Sequence, residues 1–109
     1  MVRFIILWQD TPTDTEAFDR HYRETHIPLA NKMAGLRRYS LSRNVTPVRG
    51  EAPYCVAELE WDDAEAMRRD MRSPEGRATA EDVDFMRQWS PSVQSLTYEL
   101  EDVRNRIPA

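Results

Sequence analysis

The stretch VRFIILWQ, residues 2–9, decides the fold, because it is rich in β-forming residues and is apolar on both of its alternating faces. Successive side chains of a strand point to opposite faces of its sheet. Phe4 and Ile6 therefore lie on one face, and Ile5 and Leu7 lie on the other. A strand with this pattern is typical of a sheet that is covered by other residues on both faces.

A helix is predicted after this strand. Thr13 and Glu16 form a capping box, which marks a helix N-terminus. Pro28 disfavours helical angles at the preceding residue, so we expect a break or kink at residues 26–28 and then a short turn through Lys32. Gly35 is predicted to end that turn in a left-handed conformation. The residues that recur at helical spacings of three and four are Phe18, Tyr22, Thr25 and Leu29.

The remaining signals alternate in the same way. Residues 36–45 and 54–61 each predict a strand, and a turn-rich loop separates them. Asp62 is predicted to cap a helix that ends near residue 72, and Ser73 to cap a second helical segment through residue 89. Residues 93–103 predict a last strand. The order βαββαβ indicates an α+β, ferredoxin-like plait, in which both helices lie on one face of a four-stranded antiparallel sheet.

The second face of this sheet needs a cover as well, because the first strand is apolar on both faces. A contiguous apolar face is unfavourable in water. Two sheets packed face to face in a symmetric dimer would bury it. We therefore expect a homodimer, and the alternative is a monomer with an adhesive sheet face.

Composition excludes several classes of protein. The 109 residues fit a single domain, 1–109, with a loose tail over 103–109. The net charge is −4, and the 14 arginines and Lys32 are interleaved with acids, so we expect no nucleic-acid partner. Cys55 is the one cysteine, so no intrachain disulfide can form. The apolar runs are too short to span a membrane, and we expect a cytoplasmic protein.

Both histidines lie in HYRETHIP, residues 21–28. Phe18, Tyr22 and His26 are four residues apart and share the buried stripe of the helix. An imidazole beside a phenol in a partly apolar site suits proton transfer on an aromatic or enolisable ligand. The alternative is a half-buried histidine that bonds to a carbonyl at the helix end.

Other candidates have weaker signals. His21 lies about 140° around a regular helix from His26, so we expect a partly exposed surface residue and no shared metal site. Asp82 and Asp84 can pair with arginines, act as bases or belong to a solvated face. The aromatic residues that line either a pocket or the core are Tyr39, Tyr54, Trp61, Phe85 and Trp89.

Two blocks of the chain resemble the EthD family, which is named for a protein linked to ethyl tert-butyl ether degradation. The first is FDRHYRETHIPLANKMAGLRRY, residues 18–39, and the second is SPEGRATAEDVDFM, residues 73–86. One departure is the loop 46–53, with two prolines and two charges, which affects the ligand that fits. The matching residues of the first block are Phe18, Tyr22, His26, Pro28, Leu29, Gly35, Leu36, Arg37 and Tyr39.

The resemblance implies a dimeric α+β barrel with a pocket between helices and sheet for a small apolar or phenolic molecule. Relatives include cofactor-free oxygenases, muconolactone-isomerase-like proteins, and cyclases or dehydratases of aromatic polyketides. It therefore favours an enzyme without a cofactor, in which His26 is the general acid/base and Tyr22 or Tyr39 positions a carbonyl or phenolate oxygen. The catalytic residues that we expect are His26 and Tyr22. The substrate-binding residues that we expect are Phe18, Tyr39, Trp61, Phe85 and Trp89. The alternatives are a non-catalytic protein that binds an apolar metabolite, and a structural dimer module without a pocket.

Overall fold

A computed structural model describes residues 1–104 and confirms the ferredoxin-like plait. The expected loose tail over 103–109 lies for the most part outside the described residues. All four strands are antiparallel, in the order β2-β3-β1-β4. The strands are β1 (Val2–Trp8), β2 (Arg38–Leu41), β3 (Cys55–Trp61) and β4 (Val93–Glu99). The helices are α1 (Thr15–His21), α2 (Ile27–Ala30), α3 (Ala64–Arg72) and α4 (Pro74–Met86), and a π-helical turn, Tyr22–His26, joins α1 to α2.

The core lies between the helices and one face of the sheet. Trp8 pairs with Cys55 on one side of β1 and with Val93 on the other, which fixes the face that each strand residue occupies. Trp8 and Trp61 are fully buried at opposite ends of this face. The buried apolar residues are Val2, Ile6, Trp8, Phe18, Tyr22, Ala30, Met33, Ala57, Leu59, Trp61, Met67 and Met86.

The opposite face of the sheet is apolar at its centre and charged at one end. Ile5 lies opposite Leu96, and Leu96 is 45% exposed. At the charged end, Arg3 Nε donates to Glu60 Oε1 over 3.1 Å, and Tyr98 is 40% exposed. A single chain thus leaves an apolar strip open on this face.

Two predicted helix caps are wrong by one residue. Asp14, rather than Thr13, caps α1, because its Oδ1 accepts from the Ala17 N–H over 3.0 Å. Asp63, rather than Asp62, caps α3 in the same way. In each case two residues that can cap a helix are adjacent. The cap is the one whose side-chain oxygen accepts from the backbone N–H three residues later. The Ser73 cap of α4 is confirmed.

The structure shows no break at residues 26–28, because the chain stays helical from α1 through α2, and the irregularity in the helix is a π turn rather than an interruption. Ile27 has helical angles, φ −58° and ψ −46°, although a proline follows it. Pro28 lacks an N–H donor and would crowd an ordinary helix interior. The π turn ends at His26 and α2 begins at Ile27, so Pro28 lies in the first turn of α2, where no donor is needed.

The predicted left-handed cap at Gly35 is also wrong, because Gly50 is the one glycine with positive φ among the described residues. Gly35 is instead packed against Asp70: its N–H donates to Asp70 Oδ2 over 2.8 Å, and a Cβ there would lie 3.0 Å from that oxygen. Trp61 Nε1 donates to the same oxygen over 2.7 Å. Asp70 therefore joins α3, β3 and the turn before β2 through one buried carboxylate.

Candidate functional site

The π turn brings the two histidines onto one side of the helix. Within it, the Ile27 N–H donates to the Tyr22 carbonyl, five residues earlier, where a regular α-helix would bond four residues earlier. Residues five apart therefore lie above one another. The expectation that His21 and His26 diverge by about 140° is wrong, because it assumed a regular helix.

Both histidines bond to Asp82, which lies on α4. His26 Nδ1 is 2.7 Å from Asp82 Oδ2, and His21 Nε2 is 2.8 Å from Oδ1. The exposed fractions of the side chains are 1% for His26, 17% for His21 and 11% for Asp82. Asp84, by contrast, lies on the solvated face with 77% of its side chain exposed. Of the two acids considered together in the sequence, Asp82 belongs to a buried cluster and Asp84 does not.

The cluster leaves His26 with a basic nitrogen. A carboxylate accepts hydrogen bonds, so the geometry assigns the Nδ1 proton of neutral His26 to the bond with Asp82. Burial lowers the pKa of His26, and the hydrogen bond that His26 donates to Asp82 opposes that effect. A neutral His26 with its proton on Nδ1 presents a lone pair on Nε2. This is the arrangement of a general base whose conjugate acid is stabilised by a carboxylate.

Aromatic rings enclose this cluster on two sides. The His26 ring lies 5.2 Å from the Tyr22 ring, edge to face. On the other side, the His21 ring lies 4.9 Å from Phe85 and 5.6 Å from Trp89. The structure thus brings three of the sequence-predicted site residues, Tyr22, Phe85 and Trp89, next to the two histidines.

A cleft of about 500 Å³ opens between α1, the π turn and the ends of β2 and β3. Phe18 and Tyr22 line it on the helix side, and Tyr54 lines it on the sheet side. A second cleft of about 290 Å³ is lined by Tyr39. The two clefts share Arg23, Leu41 and Arg43. Of the residues predicted to bind substrate, Phe18 and Tyr39 therefore line open clefts.

His26 lines neither of these clefts. It also does not line a third cavity of about 240 Å³, which is apolar and lies between α4 and the sheet, against Met33, Leu59 and Val83. Tyr22 connects His26 with the larger cleft, because it lines that cleft and packs on the His26 ring. Any chemistry of His26 on a molecule in that cleft involves Tyr22.

Trp61 lies apart from the other predicted site residues. It is fully buried, and its indole N–H donates a hydrogen bond to Asp70 on α3. The structure gives it a clear packing role in the core, and its predicted contact with substrate stays a prediction.

Sequence reasoning did not single out the partnership of His21, His26 and Asp82. The available signal was Pro28, two residues after the second histidine, since a proline inside a helical pattern requires a local change in the hydrogen-bond ladder. Within residues 1–104, no group of three or more His, Cys, Asp and Glu side chains has an arrangement that could hold a metal ion. No helix in that part of the chain is long and apolar enough to cross a bilayer.

Fold and site together define a small ferredoxin-like α+β protein with a histidine–aspartate cluster on its helical layer. The EthD domain model matches residues 10–86, and the chain belongs to this family. An EthD family protein of known structure from Bacillus halodurans is 34% identical, with a TM-score of 0.79, over 93% of this chain and 99% of that one. An uncharacterized 11.0 kDa protein of Rhodococcus erythropolis, from the thcB-thcC intergenic region, is 31% identical over 76% of this chain and 81% of its own length.

More distant structures share the fold alone. A dimeric ferredoxin-like protein of unknown function from Thermobifida fusca is 15% identical, with a TM-score of 0.67, over 91% of this chain and 90% of that one. SnoaB from Streptomyces nogalater, a cofactor-independent oxygenase, is 19% identical, with a TM-score of 0.61, over 94% of this chain and 95% of its own.

Proposed function

We propose that this EthD family protein is a homodimeric enzyme that performs acid/base chemistry on a small apolar or phenolic molecule, without a cofactor. The observation that carries the proposal is the His26–Asp82 pair, in which Nδ1 is held at 2.7 Å by the carboxylate and Nε2 is left as a base. SnoaB, with a similar fold, is a cofactor-independent oxygenase, which supports the compatibility of the fold with such chemistry.

His26 would take a proton from a carbon next to a carbonyl, or from a phenol. The electron pair of the broken C–H or O–H bond stays on the substrate as an enolate or phenolate, and the proton moves to Nε2. Asp82 stabilises the imidazolium that forms. Returning the proton to another carbon completes an isomerisation. In an oxygenation the carbanion would form a C–O bond with O₂, the peroxide would take the proton back from His26, and loss of water from the hydroperoxide would leave a ketone. A positioned base of this kind contributes about 10²–10⁴-fold in rate.

Tyr22 would couple His26 to the cleft. The tyrosine lines the larger cleft and lies 5.2 Å, ring to ring, from His26. The proton would move to His26 Nε2 once binding brings the substrate next to His26, while the Tyr22 hydroxyl positions the carbonyl or phenolate oxygen. Catalytic contacts are often completed only when substrate is bound.

The experiment is hydrogen exchange on an enolisable probe. 2-Tetralone is incubated in D₂O, and deuterium incorporation next to the carbonyl is followed by NMR. We expect wild-type protein to accelerate exchange over buffer, His26→Gln to abolish the acceleration, and Asp84→Asn to retain it, since Asp84 faces solvent on the same helix as Asp82. Equal exchange by His26→Gln and wild type would refute the assignment of the base.

A second candidate function is non-catalytic binding of an apolar metabolite. It is favoured by the 1% exposure of His26 and by its absence from the linings of the three cavities described above. A compound carried through purification and detected by native mass spectrometry separates the two functions. On incubation in D₂O under air, an oxygenase changes the mass of that compound and an isomerase adds deuterium to it, whereas a binding protein returns it unchanged.

The homodimer is proposed from the sheet. The face opposite the helices leaves Leu96 and Tyr98 40% or more exposed beside the buried Ile5. Two such faces packed together would remove this apolar strip from water. The Thermobifida fusca protein with the same fold is dimeric.

A further inference from the structure

Three buried hydrogen-bond donors meet at one end of the core without partners. They are the Trp8 indole N–H on β1, the Tyr22 hydroxyl on the π turn and the Tyr39 hydroxyl on β2, and none has a hydrogen-bond partner among the described residues. Trp8 is 0% exposed and Tyr22 is 2% exposed. Buried polar groups are nearly always hydrogen-bonded, so three together call for an explanation.

The three groups form one cluster. The Trp8 and Tyr22 rings lie 6.4 Å apart at an interplanar angle of 72°. The pKa of Tyr22 is raised mainly by burial. The neighbouring Tyr39 raises this pKa further and the Trp8 indole lowers it, so both neighbours lie close to the Tyr22 hydroxyl. Burial also raises the pKa of Tyr39 to about 12. Both hydroxyls therefore stay protonated near neutral pH and remain able to donate.

The cluster lies between the two open clefts. Tyr22 lines the cleft of about 500 Å³, and Tyr39 lines the cleft of about 290 Å³. Arg23, Leu41 and Arg43 line both. A molecule in either cleft therefore lies against one of the two tyrosines that carry the unpartnered hydroxyls.

We infer that Trp8, Tyr22 and Tyr39 together bind one acceptor oxygen of the ligand, a carbonyl oxygen or the enolate or phenolate oxygen derived from it. The inference rests on the proposed function, because it concerns the substrate that His26 would deprotonate. An indole N–H can only donate, and three neighbouring donors without partners suit an oxygen with negative charge. The cluster would hold the oxygen on which charge develops, while His26 holds the proton.

The ligand class follows from this division of roles. A cyclic or aromatic ketone, or a phenol, offers an acceptor oxygen that becomes more basic as its proton leaves. A hydrocarbon offers no acceptor, and an amine cation would meet three donors. The substrate is therefore a small ketone or phenol rather than a simple apolar molecule.

The test uses 4-nitrophenol, whose phenolate is yellow, and 4-nitroanisole, its methyl ether, which cannot ionise. Each is titrated into wild type, Tyr22→Phe, Tyr39→Phe and Tyr54→Phe. Tyr54→Phe is the matched control, because Tyr54 lines the same cleft but its hydroxyl already donates to Asp19 over 3.2 Å. Urea unfolding of the ligand-free proteins is measured in parallel.

We expect wild type to bind 4-nitrophenol as the phenolate. Tyr22→Phe and Tyr39→Phe should each weaken phenolate binding about 10–100-fold, as expected for a hydrogen bond to a charged acceptor. Tyr54→Phe should stay within about twofold, and 4-nitroanisole binding should not distinguish the variants. Both core variants should be at least as resistant to urea as wild type, since each removes an unpartnered hydroxyl.

Three results would each overturn the inference. They are phenolate binding unchanged in Tyr22→Phe and Tyr39→Phe, no phenolate binding by wild type, and a loss of stability in both variants that would reveal a structural role for the hydroxyls. The outcome is separable from that of the deuterium exchange experiment. His26→Gln should still bind the phenolate. A negative result in the deuterium exchange experiment would therefore not affect the assignment of the oxygen site, and a negative result in the phenolate titration would not affect the assignment of the base.

Discussion

Replacing Asp82 by alanine should destabilise the fold far more than the same change two residues along the helix. Asp82 accepts hydrogen bonds from His26 and His21 at 2.7 Å and 2.8 Å. Asp84 is 77% exposed, and its nearest basic group, Arg87 Nη1, is 3.9 Å away. The two variants therefore compare a buried acceptor with a solvated one on the same helix.

The magnitude follows from the burial of the two histidines. His26 is 1% exposed, so its Nδ1–H would be left without water, which costs about 1–3 kcal/mol. His21 is 17% exposed and can recruit water, so its lost bond costs about 0.5–1.5 kcal/mol. We expect Asp82→Ala to lose about 2–4 kcal/mol of unfolding free energy in total and Asp84→Ala to change it by less than about 0.5 kcal/mol.

Urea unfolding at pH 7, followed by far-UV circular dichroism at one fixed protein concentration, measures both variants. Asp82→Asn adds a graded test, because its amide can accept from one histidine and donate to the other once that imidazole changes tautomer. We expect it to lie between wild type and Asp82→Ala. Equal unfolding midpoints for Asp82→Ala and Asp84→Ala would refute the reasoning, since the shared carboxylate would then contribute nothing.

The other predictions concern the pH response, the second buried carboxylate and the sheet face. Burial lowers the pKa of His26 below its usual ~6.5, so the unfolded chain binds more protons in acid than the folded chain does. Stability should therefore fall as the pH drops below ~6.5 and level off below the folded-state pKa. Urea midpoints measured across this pH range should change less in His26→Gln than in wild type. An equally steep response in that variant would assign the effect elsewhere. Asp70→Ala should cost about 2–4 kcal/mol and shift tryptophan emission to the red, because Gly35 N–H and Trp61 Nε1 lose a common acceptor; an unshifted midpoint in urea would contradict this. Leu96→Arg, at an exposed position of the apolar strip, should convert the proposed dimer to a folded monomer in native mass spectrometry, whereas an undiminished dimer would place the interface on another surface.

The plait could be predicted from sequence because each of its elements carries a local signal. The apolar pattern of residues 2–9 predicts a strand, and β1 lies inside the sheet between β3 and β4. The predicted cover on its second face stays a prediction. Ser73 and Pro74 mark the start of α4 without help from the rest of the chain. Cap positions were less certain, because Thr13–Asp14 and Asp62–Asp63 each place two capping residues side by side. Local chemistry then permits either start, and the packing of the helix selects one.

The site depends on a change of helical pitch that residue spacing alone does not reveal. A spacing of five separates His21 and His26 on a regular α-helix and aligns them on a π turn. Local sequence patterns also do not predict that the two histidines share Asp82, since Asp82 lies 56 residues beyond His26 in the sequence. Hydrophobic spacing placed His26 on the buried stripe, but only the packing of α4 against the π turn provides its carboxylate.

The π turn therefore connects the sequence HYRETHIP to the proposed chemistry through its geometry. It accommodates Pro28 at the start of α2, and it turns both histidines toward α4. In the same turn, Tyr22 faces Trp8 and packs on the ring of His26. A regular helix through these residues would separate His21 from Asp82 and remove one of the two bonds that fix the carboxylate. The cost of inserting a π turn is offset by the additional hydrogen bond from His21 to Asp82, which couples the conformation of the helix to the His26–Asp82 pair.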